Sequence, residues 1–152
     1  MLPDTNRRVT QHTSEQINRR IREQTRKNIV RYANASPAEI QRRLDELDQE
    51  WDIERTLEAN AATLALGGLV LGATVNRKWF IFPGVIAAFL LQHSLQGWCP
   101  PVPVFRRMGI RTSAEINEER YALKAARGDF DRVAQHPETT VSGQEVFAAA
   151  RQ

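Results

Sequence analysis

Trp79-Phe80-Ile81-Phe82-Pro83-Gly84-Val85-Ile86-Ala87-Ala88-Phe89-Leu90-Leu91 decides the fold, because no rotation of these thirteen residues as a helix yields a polar face. The uncharged run continues to Trp98, 20 residues in all. As an α-helix it is about 30 Å long, close to the thickness of a bilayer's hydrocarbon core. Trp79 and Trp98 stand at its two ends, where indoles favour the membrane interface, and they are the expected interface anchors. On the N-terminal side, across Asn76-Arg77-Lys78, lies a second uncharged run, Ala59 to Val75, rich in Ala, Leu and Gly.

Farther out the composition changes sharply. The chain has 152 residues with 21 Lys/Arg and 18 Asp/Glu, yet the window from Ala59 to Phe105 holds only Arg77 and Lys78. An even spread of 26% charged residues would put about a dozen there. Charged flanks around an apolar middle exclude a uniformly amphipathic globule. A soluble hairpin would need protein to cover residues 79–91, and the flanks are too polar to do so in a monomer. The expected fold is all-α: a membrane helical hairpin of two transmembrane helices, with charged amphipathic helices before and after it. A secretory signal peptide is not expected, since both runs begin beyond residue 55 and lack a charged leader and cleavage site.

Three segments follow: residues 1–58 as a helical hairpin, 59–98 as the transmembrane hairpin, and 99–152 as a helical tail. In the first, residues 7–31 carry eight Arg/Lys against Glu15 and Glu23, and a helix is predicted from about Ser14 to Ala33 with Ile17, Ile21, Thr25, Asn28, Ile29 and Tyr32 on one face. Ser36-Pro37-Ala38-Glu39 has the pattern of a capping box with Pro at the first helical position. Ile40, Leu44, Leu47 and Trp51 then recur at 4-3-4 spacing on an acidic helix, with no breaker before Ala59, so it is expected to run unbroken into the membrane. The basic helix is expected to fold back on the acidic one or to lie on anionic headgroups, where each Lys/Arg contributes about 1 kcal/mol. No reader motif accompanies the basic stretch, and nucleic acid is not an expected partner.

In the tail, Cys99-Pro100-Pro101-Val102-Pro103 is expected to stop the second span. Val104, Phe105 and Met108, with Arg106 and Arg107, read as an interfacial turn. Thr112-Ser113-Ala114-Glu115 reads as a second capping box opening a helix to about Ala126 that Gly128 ends, and Ser142-Gly143-Gln144-Glu145 as a third, opening a short helix with Val146 and Phe147.

Ala61, Ala65, Gly68 and Gly72 share one helical face. Small residues there let another helix approach closely, either a second copy, making this an oligomer interface, or the second span of the same chain. Gln92, His93 and Ser94 form an expected polar cluster near the interface. Cys99 is the candidate thiol, with no His or Lys adjacent in sequence to lower its pKa. A single cysteine excludes an intrachain disulfide framework. No metal-ligand spacing, phosphate loop or acid/base pair is recognisable, so neither metal, cofactor nor catalytic residue is assigned.

Leu69-Val70-Leu71-Gly72-Ala73-Thr74-Val75-Asn76, the Trp79–Phe82 aromatics, Gly84, Gly97-Trp98-Cys99-Pro100 and Met108-Gly109-Ile110-Arg111-Thr112 together resemble the YgaP-like two-helix transmembrane domain family of bacteria, over about residues 55–112. The resemblance implies an inner-membrane helical hairpin, often dimeric, in some relatives fused to a rhodanese domain. The 58 residues before the hairpin contain no cysteine, so sulfur transfer does not carry over. The expected function is a self-associating membrane anchor or interaction scaffold of the bacterial inner membrane, with lipid, a second copy and an unidentified protein as partners. The alternative is a sulfur-handling or redox module using Cys99. Six arginines near the terminal ends of the spans (Arg42, Arg43, Arg55, Arg106, Arg107, Arg111) against Arg77 and Lys78 at the turn predict both termini in the cytoplasm.

Overall fold

In a computed structural model, which describes Asp4, residues 6–131 and Gln144, every element of regular structure is helical. The order is α1 (Arg8–Gln11), α2 (Glu15–Tyr32), α3 (Pro37–Gln49), α4 (Ile53–Thr74), a 3₁₀ turn (Arg77–Phe80) that leads directly into α5 (Ile81–Gln96), α6 (Val102–Arg107) and α7 (Ser113–Arg127). The third predicted capping box, at Ser142, lies outside the described residues.

Two compact units divide the chain. Described residues before position 23 join Trp51–Ala114 in one; Glu23–Glu50 join those from Glu115 onward in the other.

The first unit is built on α4 and α5. At 22 residues α4 is about 33 Å long, and the 20-residue run Arg77–Gln96 about 30 Å. Both are long and apolar enough to cross a membrane. Their apolar residues are not a buried core. Leu66 (63% exposed), Val70 (59%), Ile81 (69%) and Leu91 (62%) point away from the chain. Only 6% of the second apolar window is buried, and 28% of the first. Asn76 follows α4 and its cap residue Val75: its side-chain oxygen accepts from the Lys78 amide at 2.9 Å and starts the 3₁₀ turn.

The close approach of the two helices rests on two glycines. A Cβ at Gly68 would lie 2.9 Å from Phe82 Cδ1 and Pro83 Cδ, and one at Gly72 would lie 2.8 Å from Phe80 Cδ1. Both glycines are buried, and Ala61 and Ala65 on the same face are half-buried. Of the two occupants the small-residue face allows, the same chain's second helix is the one in contact with Gly68 and Gly72.

The expected continuous helix from the acidic segment into the apolar one is interrupted. Glu50 turns extended (ψ 128°), and Asp52 becomes the N-cap of α4, accepting from the Arg55 amide at 2.8 Å. The Ile53 amide donates to the Arg111 carbonyl at 2.8 Å instead of continuing a helical ladder. Trp51 therefore leaves the expected seam. It is 48% exposed, with the Arg55 guanidinium 4.4 Å over its ring.

The second unit is held by the rest of that seam. Ile40, Leu44 and Leu47 of α3 pack against Ile116 and Leu123 of α7, with Tyr32 and Ala35 at the edge. The seam's partner is thus α7, and α2 contributes Tyr32 to it, in place of the expected seam-to-seam pairing of α2 with α3. Ser36 caps α3 as predicted: its hydroxyl accepts from the Glu39 amide while the Glu39 carboxylate accepts from the Ser36 amide. Glu119, with no exposed surface, accepts from Arg43 Nε at 2.8 Å and Asn28 Nδ2 at 3.2 Å, which compensates its burial. Gly128, at φ +87°, ends α7, and Arg127 holds the Asp129 carboxyl below its usual range by a charged hydrogen bond.

Candidate functional site

At the end of α4 and α5 remote from the Asn76 turn, a short N-terminal helix closes over both. Glu54 lies in the first turn of α4 and His93 in the last turn of α5. His93 Nε2 donates to Glu54 Oε2 at 2.7 Å, and Arg8 Nη2 of α1 donates to Glu54 Oε1 at 2.9 Å. Arg8 Nη1 also donates to the Ser94 carbonyl at 3.2 Å, one of those α5 leaves without an intrahelical partner. One carboxylate thus joins three helices. The His93 side chain is only 4% exposed and those of Arg8 and Glu54 are 22% and 32% exposed, so the group sits at an edge, not in open water.

The backbone makes this closure possible. Gly97 terminates α5 in the left-handed region, φ +76°, with its amide donating to the His93 carbonyl at 2.7 Å. A side chain there would collide with Arg8, whose backbone carbon would be 2.6 Å from a Cβ. The turn carries the chain back so that the Cys99 thiol lies beside the His93 ring. Cys99 is 3% exposed and packs with Val9, Ile53, Leu57 and Val102. The neighbour that sequence adjacency denied Cys99 is therefore supplied by the fold, six residues back across the turn. The thiol is thus enclosed by aliphatic side chains and has almost no exposed surface.

A cavity of about 170 Å³ opens beside this group, lined by the polar Asn6, Arg8, Glu54, Thr112 and Ser113 and by the apolar Val9 and Ala114. It has room for a few waters between polar and apolar walls. Ser113 Oγ donates to the Asp52 carboxylate nearby. Among the described residues no set of three His, Cys, Asp or Glu side chains is placed to hold a metal ion.

The remaining expected positions divide. Of the polar cluster, His93 is buried, Gln92 half-buried and Ser94 exposed, contributing through its carbonyl. Trp79 is 43% exposed and stands edge-on to Phe82, with centroids 6.2 Å apart, while Trp98 is half-buried. As expected, the second apolar helix does not continue through the proline-rich exit; Pro101 and Pro103 instead stand at the start of α6, where the missing amide protons cost little. Arg106, expected at the interface, is fully buried and donates to the Ile110 carbonyl and to Asn18 Oδ1, each at 3.0 Å. Asn18 in turn donates to the Thr10 carbonyl at 2.8 Å, fixing α1. Arg8, Glu54, Asn18 and Arg106 were missed as a set. For Glu54 and Arg106 the signal was that charged residues flank the apolar runs; Arg8 and Asn18, far upstream in the chain, carried none.

No protein-family model, no curated protein and no solved structure matches this chain.

Proposed function

We propose that the protein is a bacterial inner-membrane helical hairpin that serves as a self-associating anchor or interaction scaffold, both termini lying in the cytoplasm. The observation that carries this reading is the exposure of Leu66, Val70, Ile81 and Leu91 on helices of membrane-crossing length. At about 25 cal/mol per Å², apolar surface on this scale is costly in water and favourable in lipid. The Arg8–Glu54–His93 group has a structural role here: it ties the cytoplasmic ends of the two spans to α1 and fixes the hairpin's foot. The YgaP-like resemblance, which concerns residues 55–112, agrees with a two-helix membrane module.

Self-association uses other faces than Gly68 and Gly72, because Phe80, Phe82 and Pro83 already fill the space over them. The exposed rows on α4 and α5 remain for a second copy. The thiol-dependent alternative gains a histidine neighbour for Cys99 and loses access to it, and the burial weighs more. Washing membranes from expressing cells with alkaline carbonate tests the anchor reading. The protein is expected in the pellet, and release into the supernatant overturns it.

A further inference from the structure

We propose that α6 is an interfacial helix that lies in the cytoplasmic headgroup layer, its outward face inserting Val104 and Met108 below anionic lipid phosphates that Arg107 contacts. This rests on the membrane reading above and adds a lipid contact site to it. In the helical projection of Val102–Arg107 and the following Met108, one side is fully buried and the opposite side is open. Val102 and Arg106 have no exposed surface, whereas Val104 is 53% and Met108 72% exposed. Arg107 is exposed at the edge of the same open side, next to Val104 in projection, with no carboxylate of the described residues bonded to it. An apolar pair with an exposed arginine at its edge is an arrangement that a water–lipid boundary satisfies: hydrocarbon for the side chains, phosphate for the guanidinium. Neither bulk water nor an apolar protein partner suits both.

The position of α6 supports the same occupant. Only residues 97–101 separate it from the end of α5, so it cannot leave the vicinity of the second span. Its inner face is pinned by Val102 and Cys99 to Ile53 and Leu57 at the start of α4, and by Arg106 to Asn18. The open face is thereby held at the level where the apolar helices end. The half-buried Trp98, just before it, marks the same boundary.

Full-length protein carrying Cys99→Ala and Met108→Cys, labelled with an environment-sensitive fluorophore, is reconstituted into nanodiscs of phosphatidylcholine with or without phosphatidylglycerol. A label at Tyr121→Cys, an exposed position on α7, serves as reference. Brominated lipid is expected to quench the label at 108 and leave the one at 121 unquenched, while aqueous iodide does the reverse. Brominated phosphatidylglycerol is expected to quench 108 more strongly than brominated phosphatidylcholine. Arg107→Gln or high salt should abolish that preference. Equal iodide quenching at 108 and 121 overturns the insertion, and shielding from iodide without lipid quenching overturns it in favour of a second copy covering α6. Insertion with no headgroup preference overturns the role of Arg107. Failure of the protein to incorporate into nanodiscs at all refutes the membrane reading itself and is distinguishable from these outcomes.

Discussion

Glu54→Ala removes the one carboxylate shared by three helices, and its cost follows from the geometry. Two charge-assisted hydrogen bonds, at 2.7 Å to His93 and 2.9 Å to Arg8, disappear together. Bonds to charged groups contribute about 1.5–3 kcal/mol each. The Glu54 side chain is 32% exposed, so water recovers part of the loss, and about 2–4 kcal/mol is expected in total. Most of it comes from His93, which stays buried and loses the acceptor of its Nε2–H. Glu15→Ala is the control: it breaks a bridge to Arg22 whose side chains are 64% and 55% exposed, with an expected effect of about 0–1 kcal/mol. Thermal unfolding in detergent, followed by tryptophan fluorescence, compares the two variants. Replacing Glu54 together with its more buried partner, Glu54→Leu with His93→Leu, should recover the part of the loss due to His93, because an orphaned buried polar group costs more than an apolar pair, while the part-exposed Arg8 keeps the Ser94 carbonyl. If Glu54→Ala is no more destabilised than Glu15→Ala, the group does not fasten the hairpin's foot and the reasoning fails.

The remaining predictions rest on separate contacts. Gly72→Leu puts side-chain atoms where Phe80 already stands and should destabilise the α4–α5 contact by about 1–3 kcal/mol. Gly67→Ala, with no atom within 4 Å of the added carbon, should be neutral or slightly stabilising; equal losses in the two would move the contact face elsewhere on α4. Cys99 is expected to react with maleimide only after unfolding, and stoichiometric labelling of the native protein in lipid would show the thiol to be open. Asn18→Ala should cost about 1–3 kcal/mol by leaving the buried Arg106 one acceptor short, measured by the same thermal unfolding; a neutral result would mean that Asn18 does not anchor α1 to α6.

What was legible in the sequence was what depends on local pattern. The two apolar runs, the capping box at Ser36, the close-approach glycines Gly68 and Gly72 and the end of α7 at Gly128 all lie within a few residues of the feature they specify. The break before α4 was readable in part: Asp52 stands where an N-cap belongs, but with neither Pro nor Gly nearby the continuous hydrophobic spacing through Trp51 outweighed it. The Glu54–His93 pair was not readable, because its members are 39 residues apart and meet only once α4 and α5 have packed together. Arg106 misled for a related reason. An arginine beside a span normally stays in the headgroup layer, and acceptors such as Asn18 and the Ile110 carbonyl make its burial tolerable. The proximity of Cys99 to His93 depends on the left-handed turn at Gly97, which fixes a direction that sequence spacing does not convey.

The central claim is that the chain crosses the inner membrane twice and keeps both flanks in the cytoplasm. Single cysteines at Asn76 and at Tyr121, in a Cys99→Ala background, test it most directly with a membrane-impermeant thiol reagent applied to intact cells. Asn76 lies at the turn between the two long apolar helices and Tyr121 on the exposed side of α7. Labelling at 76, with labelling at 121 only after the cells are permeabilised, is the predicted result. Labelling at 121 but not at 76 in intact cells would invert the topology, and labelling at both would contradict the two-span hairpin.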